Sequence, residues 1–140
     1  MILIVPRRLE RLHVQRAWRR YPQTEYIEAI FGKRMSRDRF DVALYYDFTH
    51  LSGRGWCYYE DEMTDWLRDE ASDLGLEYLG TIHSHNGLNT CSHFSETDIR
   101  THIRNDDIVS AVTYLYRSAG RRHSEVNYGT PWQPVTVAYI

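Results

Sequence analysis

An acidic amphipathic segment that leads directly into an extended one constrains the fold of this chain more than any other feature. In DEMTDWLRDEASDLG (residues 61–75), apolar side chains recur at helical spacing, the other face is acidic, and a glycine stands where a helix would stop. LEYLGTIHSH (residues 76–85) follows without a linker and has the pattern of a strand. A helix that runs straight into a strand predicts a chain of the mixed α and β class.

The rest of the chain repeats this interleaving of helical and extended patterns. We predict helices over residues 6–21, where Pro6 suits the first turn and Pro22 closes the segment, and over residues 95–105. β-Branched and aromatic residues predict the strands, which cover residues 24–32, 40–50, 55–59, 107–117, 123–129 and 134–140. The order αββ(β)αβαβββ predicts a mixed sheet with helices around it.

Two histidines one residue apart end the strand over residues 76–85. On a strand, His83 and His85 project from the same face while Ser84 points away, so both imidazoles can reach one ion. Asp98, in the first turn of the next helix, can supply a third ligand if the intervening loop folds back. Two histidines and a carboxylate match a catalytic zinc site, in which three protein ligands leave one position open for water.

Each part of this pattern also has a purely structural interpretation. Ser95 and Asp98 have nearly the spacing and chemistry of a capping box, in which each side chain bonds the other residue's backbone N–H. A His-x-His on a strand is weak evidence for a metal by itself. The metal interpretation depends on the complete His-His-Asp set occurring within one strand–loop–helix segment.

Together, these motifs resemble the JAMM (JAB/MPN) metalloprotease family, whose signature is an early Glu, then His-x-His, a loop and Ser-x-x-Asp. The matching stretches are HSH (83–85), SETD (95–98) and the flanking IRTH (99–102). The resemblance implies an α/β (α+β) fold, an MPN/JAB-like mixed sheet flanked by helices with cytidine-deaminase-like layering. The sequence has no internal repeat, low-complexity tract or linker, so we expect one domain over residues 1–140. The loop between the motifs is longer than is usual in the family, which costs a surface loop little.

The early Glu of the family has two candidates in this chain. In the family it follows the first helix, near a Pro, at the start of a strand that ends in Gly. Glu25 is closer to Pro22 and has the better spacing to Gly32, which favours it. Glu28 falls where relatives often carry Gly, and we expect it to face solvent. The two glutamates are an odd number of residues apart, so on a strand only one of them can face the metal.

The resemblance also implies a mechanism and a substrate. A Zn²⁺ ion held by His83, His85 and Asp98 would activate a water molecule and polarise the scissile carbonyl. Glu25 would move a proton from that water to the leaving amine, and Ser95 would donate a hydrogen bond to the developing oxyanion. The implied substrate is a peptide or isopeptide bond after the C-terminal tail of ubiquitin or a ubiquitin-like protein, which strand addition could hold in extended form.

Rival functions stay open beside this one. A non-catalytic MPN-type scaffold would keep the fold without the ligands, and the presence of the whole set argues against it. A processing peptidase for small sulfur-carrier proteins would apply the same chemistry to another substrate. A nucleotide deaminase would need a Cys-x-x-Cys and a zincin an HExxH, and the sequence has neither pattern.

Two further histidines lie near the motif. His102 follows Asp98 by four residues and therefore shares its helix face, which suits a supporting partner, a fourth ligand or a buried structural histidine. His93 lies in the loop, where it could touch substrate or metal, although an exposed loop histidine is the simpler interpretation.

Composition bears on the partners and on the compartment. The formal net charge of −2 gives no general attraction to nucleic acid or to an anionic membrane. The apolar run at the N-terminus is too short for a signal peptide, and no run has the length of a transmembrane helix. Cys57 and Cys91 form no Cys-x-x-Cys pair and suggest no disulfide framework, so we expect a cytoplasmic protein.

Overall fold

One mixed sheet forms the centre of the structure, a computed structural model that describes residues 1–48, 61–86 and 93–140. In chain order, the elements of these residues are β1 (Ile2–Val5), α1 (Arg7–Trp18), β2 (Ile27–Arg34), β3 (Arg39–Asp47), α2 (Asp61–Asp73), β4 (Glu77–Asn86), α3 (Glu96–Arg104), β5 (Ser110–Ser118), β6 (Arg121–Gly129) and β7 (Thr136–Tyr139). The seven strands lie in the order β6-β5-β4-β2-β3-β1-β7. None of these three helices is long and apolar enough to cross a bilayer.

The strand that carries the His-x-His lies inside the sheet. β4 pairs with β2 in antiparallel orientation and with β5 in parallel orientation. Parallel neighbours need a crossover connection, and α3 belongs to the one between β4 and β5. Among the described residues, the N-terminus of α3 is therefore the first helical end after the histidines.

The helices pack on both faces of the sheet. Leu67 of α2 belongs to an apolar cluster that contains Ile27 of β2. His13 of α1 instead lies 2.7 Å from the carboxylate of Glu28, the next residue of the same strand. Successive strand residues point to opposite faces, so α2 covers one face and α1 the other. The predicted combination of a mixed sheet with flanking helices is confirmed.

The predicted elements are present in the described residues, with shifted ends. α1 ends at Trp18 rather than at residue 21, and β2 begins at Ile27 rather than at residue 24. Gly75, the predicted stop, has a φ of 71°, a left-handed conformation that follows many helices and suits glycine. The short strand predicted over residues 55–59 lies outside the described residues, as do both cysteines.

β1 is an element that the sequence-based prediction missed. Its strand is four residues long, and Leu3 and Val5 are fully buried. Ile2 pairs in parallel with Arg39 of β3 and with Thr136 of β7, so its partners lie far away in the sequence. The local pattern of residues carries little information about so short a strand, because remote pairing defines it.

Candidate metal centre

His83 and His85 lie near the carboxyl end of β4, on the face of the sheet that α2 covers. The antiparallel register places His83 opposite Ile27, a member of the apolar cluster beneath α2. Paired residues of an antiparallel ladder share a face, so both histidines share that of Ile27. Ser84, between them, is fully buried, and its Oγ accepts a hydrogen bond of 2.7 Å from the backbone N–H of Tyr26.

The N-terminus of α3 brings a carboxylate to the two imidazoles. Ser95 is the N-cap: its Oγ accepts from the backbone N–H of Asp98 at 3.1 Å, and Asp98 Oδ2 accepts from the backbone N–H of Ser95 at 2.7 Å. Asp98 Oδ1 lies 2.9 Å from His83 Nε2, and Asp98 Oδ2 lies 3.3 Å from His85 Nε2. The capping box and the metal motif therefore coexist, since the cap holds the carboxylate that joins the histidines.

The spacing of these ligand atoms fits a metal ion. The two Nε2 atoms are 3.1 Å apart, and one ligand atom from each of the three side chains lies within 4.8 Å of the others. A tetrahedral ion with bonds of about 2.0–2.1 Å has ligand atoms about 3.3 Å apart. The side chains of the group, which we call the metal cluster (His83, His85 and Asp98), are 8–14% exposed. The cluster can therefore bind one metal ion.

The environment of Asp98 keeps its carboxylate ionised. Burial alone would raise the pKa of Asp98, but hydrogen bonds from His83 and His85 and from the backbone N–H of Ser95 hold that pKa well below its usual range. A carboxylate must be deprotonated to bind a metal ion. Asp98 is thus in the correct form at neutral pH.

Glu25 precedes β2 by two residues, near the end of β4 that carries the histidines. The backbone N–H of Ser84 donates to the Tyr26 carbonyl at 2.8 Å, which extends the pairing of β2 and β4 beyond Ile27. Continuing that register by one residue places Glu25 opposite His85. Glu25 is half-buried and lies outside the group of ligand atoms. The role of Glu25 as general base stays a prediction.

Glu28 lies on the opposite face, and the expectation that it faces solvent is wrong. Its side chain is 1% exposed. Arg16 donates to its two carboxylate oxygens at 2.9 and 3.0 Å, and His13 Nδ1 lies 2.7 Å from Oε1. The other ring nitrogen, His13 Nε2, lies 2.8 Å from Thr113 Oγ1. We call this group the α1 cluster (His13, Arg16, Glu28 and Thr113).

The remaining histidines of the motif region are not members of the metal cluster. His102 is 2% exposed, and its Nδ1 lies 2.6 Å from Ser110 Oγ. Burial lowers the pKa of His102, so its imidazole is neutral at pH 7. Among the open roles, the structure favours the buried structural histidine over the fourth ligand. His93 is exposed.

Known proteins resemble this chain in sequence pattern and in fold. A family model described as prokaryotic homologs of the JAB domain matches residues 6–126. The solution structure of protein DSY2949 from Desulfitobacterium hafniense superposes with a TM-score of 0.62, covering 99% of this chain and 94% of that one at 15% identity. At that identity the likeness shows the fold alone. No curated protein matches the sequence significantly.

Proposed function

The chain belongs to the family of prokaryotic homologues of the JAB domain, and from that membership we propose that it is a zinc-dependent peptidase of the JAMM type. The proposed substrate is the peptide or isopeptide bond after the C-terminal tail of ubiquitin or a ubiquitin-like protein. The observation that carries the proposal is the convergence of His83, His85 and Asp98, whose ligand atoms lie 2.9–3.3 Å apart at the end of β4.

The donor set of the metal cluster favours zinc. Two imidazole nitrogens and one carboxylate oxygen suit a borderline ion, and three protein ligands leave a fourth position for substrate or water. When bound, such an ion polarises the scissile carbonyl and lowers the pKa of a water molecule. Asp98 contributes its negative charge and the two histidines contribute neutral imidazoles.

Two other side chains have proposed roles in the reaction. Continuing the register of β2 and β4 puts Glu25 opposite His85 and outside the ligand set, so we assign to its carboxylate the transfer of a proton from the attacking water to the leaving amine. Ser95 Oγ accepts a hydrogen bond from the Asp98 N–H, a contact that does not use its hydroxyl hydrogen. That hydrogen can be donated to the oxygen on which negative charge develops.

The compartment and the finer architecture belong to the same proposal. We place the protein in the cytoplasm because its two cysteines suggest no disulfide framework. The cytidine-deaminase-like layering that the family resemblance implies is supported by the helices on both faces of the sheet.

Zinc content separates the enzyme from a non-catalytic scaffold. We expect the purified protein to hold about one zinc ion per chain by atomic emission, as three protein ligands require. Asp98→Ala should weaken zinc binding by more than about 100-fold, because loss of an outer partner alone can cost about 100-fold. Glu96→Gln is the matched control, since Glu96 lies on the first turn of the same helix with its side chain 79% exposed. A wild-type protein that binds no zinc would favour the scaffold.

Cleavage of a panel of ubiquitin-like and sulfur-carrier fusions tests the chemistry and the substrate. We expect Glu25→Gln to lower kcat by about 10²–10⁴-fold, the usual contribution of a general base, without loss of zinc. Equal cleavage by the wild type and Glu25→Gln would remove Glu25 as the base. Cleavage of the sulfur-carrier fusions alone would replace the ubiquitin-type substrate with the alternative one.

A further inference from the structure

A cleft lies between α1 and the two edge strands of the sheet, β6 and β7. Its volume is about 380 Å³, and we call it the edge cleft. It is lined by residues of these three elements, namely Arg7, Glu10, Arg11, Val14, Ser124 and Tyr139. Because α1 packs on the face of the sheet opposite the metal cluster, the edge cleft is separate from the proposed active site.

Arginines dominate the charged side chains of the edge cleft. The Arg7 guanidinium lies over the ring of Tyr139, 5.0 Å from its centroid, and both Arg7 and Arg11 are exposed. Within residues 1–48, 61–86 and 93–140, neither of the two forms an ion pair with a carboxylate. Glu10, the acidic residue of the wall, accepts a hydrogen bond of 2.7 Å from the Tyr128 hydroxyl. The wall therefore has a net positive charge.

Two more arginines extend this positive surface toward the end of α1. Trp18 follows Val14 by about one helical turn, and Arg122 precedes Ser124 by two residues on the same face of β6. The Arg122 guanidinium lies 5.0 Å from the Trp18 ring centroid, and that of Arg117 lies 6.0 Å from it. Both arginines are exposed, and in the described part of the chain neither forms an ion pair with a carboxylate.

The fold holds these two arginines together although their charges repel. Arg117 and Arg122 are directly opposite each other in the antiparallel pairing of β5 and β6, where like charges destabilise a hairpin. The turn between them is tight, since Ala119 and Gly120 have φ values of 52° and 72°. Stacking on Trp18 uses the flat faces of the guanidiniums and directs no N–H group to a carboxylate. An anionic partner would remove the repulsion and could bond their N–H edges.

We propose that the edge cleft, together with Arg117 and Arg122, binds an acidic segment of a partner protein in extended conformation. From Arg7 to Trp18, α1 rises by about 16 Å, a length that about five residues of an extended chain span. Guanidiniums bind carboxylates through paired, bidentate hydrogen bonds, which gives the segment its recognition chemistry. This surface goes beyond the proposed function and does not rest on it.

A nucleic acid fits the same surface less well than an acidic peptide segment. Single-stranded nucleic acids rely on stacking of their bases on aromatic rings, and the Trp18 ring is already stacked with guanidiniums. The formal net charge of the chain is −2, so concentrating arginines here leaves the rest of the molecule acidic. Acidic surroundings repel a long polyanion, whereas a short acidic segment meets only the basic surface.

Peptide binding tests this surface without relying on turnover. The probe is a blocked peptide with a run of glutamates flanked by glycine and serine, and the same peptide with glutamines is its neutral control. Both are titrated into the ¹⁵N-labelled protein and observed by NMR. The glutamate peptide should bind and shift the indole N–H signal of Trp18, and the glutamine peptide should not. The affinity should fall as the salt concentration rises from about 50 to about 500 mM, because exposed charge pairs are screened.

Variants connect the binding to the two parts of the surface. Arg11→Gln and Arg122→Gln should each weaken binding of the glutamate peptide by about tenfold, the usual contribution of a hydrogen bond between charged groups. Both positions are exposed, so the variants should fold, which circular dichroism checks. Arg37→Gln is the matched control, because Arg37 is also exposed but lies between β2 and β3, outside the edge cleft. Its affinity for the peptide should equal that of the wild type.

The outcomes separate this surface from other occupants and from the proposed function. Absence of binding, equal binding of the glutamine peptide, or binding that Arg11→Gln and Arg122→Gln both leave intact overturns the proposal. Tighter binding of an oligothymidylate of equal charge would assign the surface to nucleic acid, and self-association that Arg122→Gln abolishes would assign it to a second copy; either result contradicts the proposal. Peptide binding that needs these arginines, in a protein that cleaves none of the fusions, supports the surface and contradicts only the peptidase.

Discussion

Two clusters of histidine and carboxylate lie on opposite faces of the same sheet, a few residues apart along β2 and β4. In the α1 cluster, Glu28 accepts hydrogen bonds from a guanidinium and lies against His13, and both His13 ring nitrogens have partners. In the metal cluster, two Nε2 atoms lie 3.1 Å apart and face one carboxylate, and the ion pairs of that carboxylate within residues 1–48, 61–86 and 93–140 are with the two imidazoles. The two clusters contain similar residue types, but of the two only the α1 cluster includes a side chain with a permanent positive charge.

That difference separates a structural site from one that can bind a cation. Glu28 is buried, and Arg16 supplies the positive charge that a buried carboxylate needs. Among the described residues, Asp98 forms its ion pairs with two imidazoles and accepts a hydrogen bond from the Ser95 backbone N–H, so no side chain with a permanent positive charge pairs with it. A metal ion bound by the same ligand atoms would supply that charge. The α1 cluster is therefore complete in the folded chain, whereas the metal cluster is arranged for a ligand from outside.

The largest expected effect comes from breaking the α1 cluster. Glu28→Ala leaves Arg16 and His13 without their shared acceptor and should lower the free energy of unfolding by about 3 kcal/mol, measured by urea titration. We expect the low end of the range for broken buried pairs because the Arg16 side chain is 30% exposed and can turn toward water. Zinc stoichiometry of the folded fraction should not change, since the metal cluster lies on the other face.

Glu25→Ala is the matched control for this prediction. Glu25 lies three residues earlier on the same chain segment, on the opposite face and only half-buried. Its loss should change the free energy of unfolding by less than about 0.5 kcal/mol. If Glu28→Ala were as mild as Glu25→Ala, the α1 cluster would not be the structural member of the pair.

The contrast also shows which parts of the site the sequence could predict. The metal cluster was predictable because two-residue spacing on β4 and a helix start at Ser95 fix the directions of all three ligands locally. Glu28 was misplaced because its partners lie on α1, and no local pattern pairs a strand glutamate with a distant helix. The available signal was the three-residue spacing of His13 and Arg16, which places both on one helix face.

Asp107 is another buried carboxylate, and it lacks the close pairing with an arginine that Glu28 has. Burial raises the pKa of Asp107 to about 7, although Tyr78 and Arg68 partly offset the rise. Arg68 donates instead to the Asn105 carbonyl at 2.6 Å. The folded pKa exceeds the unfolded one, so the stability that the protonated form confers is lost as the pH rises from about 4 through about 7.

Asp107→Asn should remove this pH dependence. The variant should be roughly 2 kcal/mol more stable than the wild type at pH 8 and nearly equal to it at pH 4, measured by urea unfolding across the range. Asp69→Asn, at an exposed position of α2, is the control and should follow the wild-type pH profile. A constant difference between Asp107→Asn and the wild type at every pH would mean that the carboxylate is not the titrating group.

The smallest expected effect concerns Ser95, which connects the capping box to the metal cluster. Ser95→Ala removes the acceptor for the Asp98 N–H and should lower the free energy of unfolding by about 1 kcal/mol, the usual value of an N-cap. Ser95→Thr keeps the hydroxyl and should restore most of that stability. If the hydroxyl also stabilises an oxyanion, kcat should fall by about 10²–10³-fold in Ser95→Ala, far more than the stability change explains. A loss of kcat no larger than that of an equally destabilised variant would mean that Ser95 acts only as a cap that positions Asp98. The two clusters would then differ only in the cation that pairs with the carboxylate, which is the Arg16 guanidinium in the α1 cluster and a metal ion in the metal cluster.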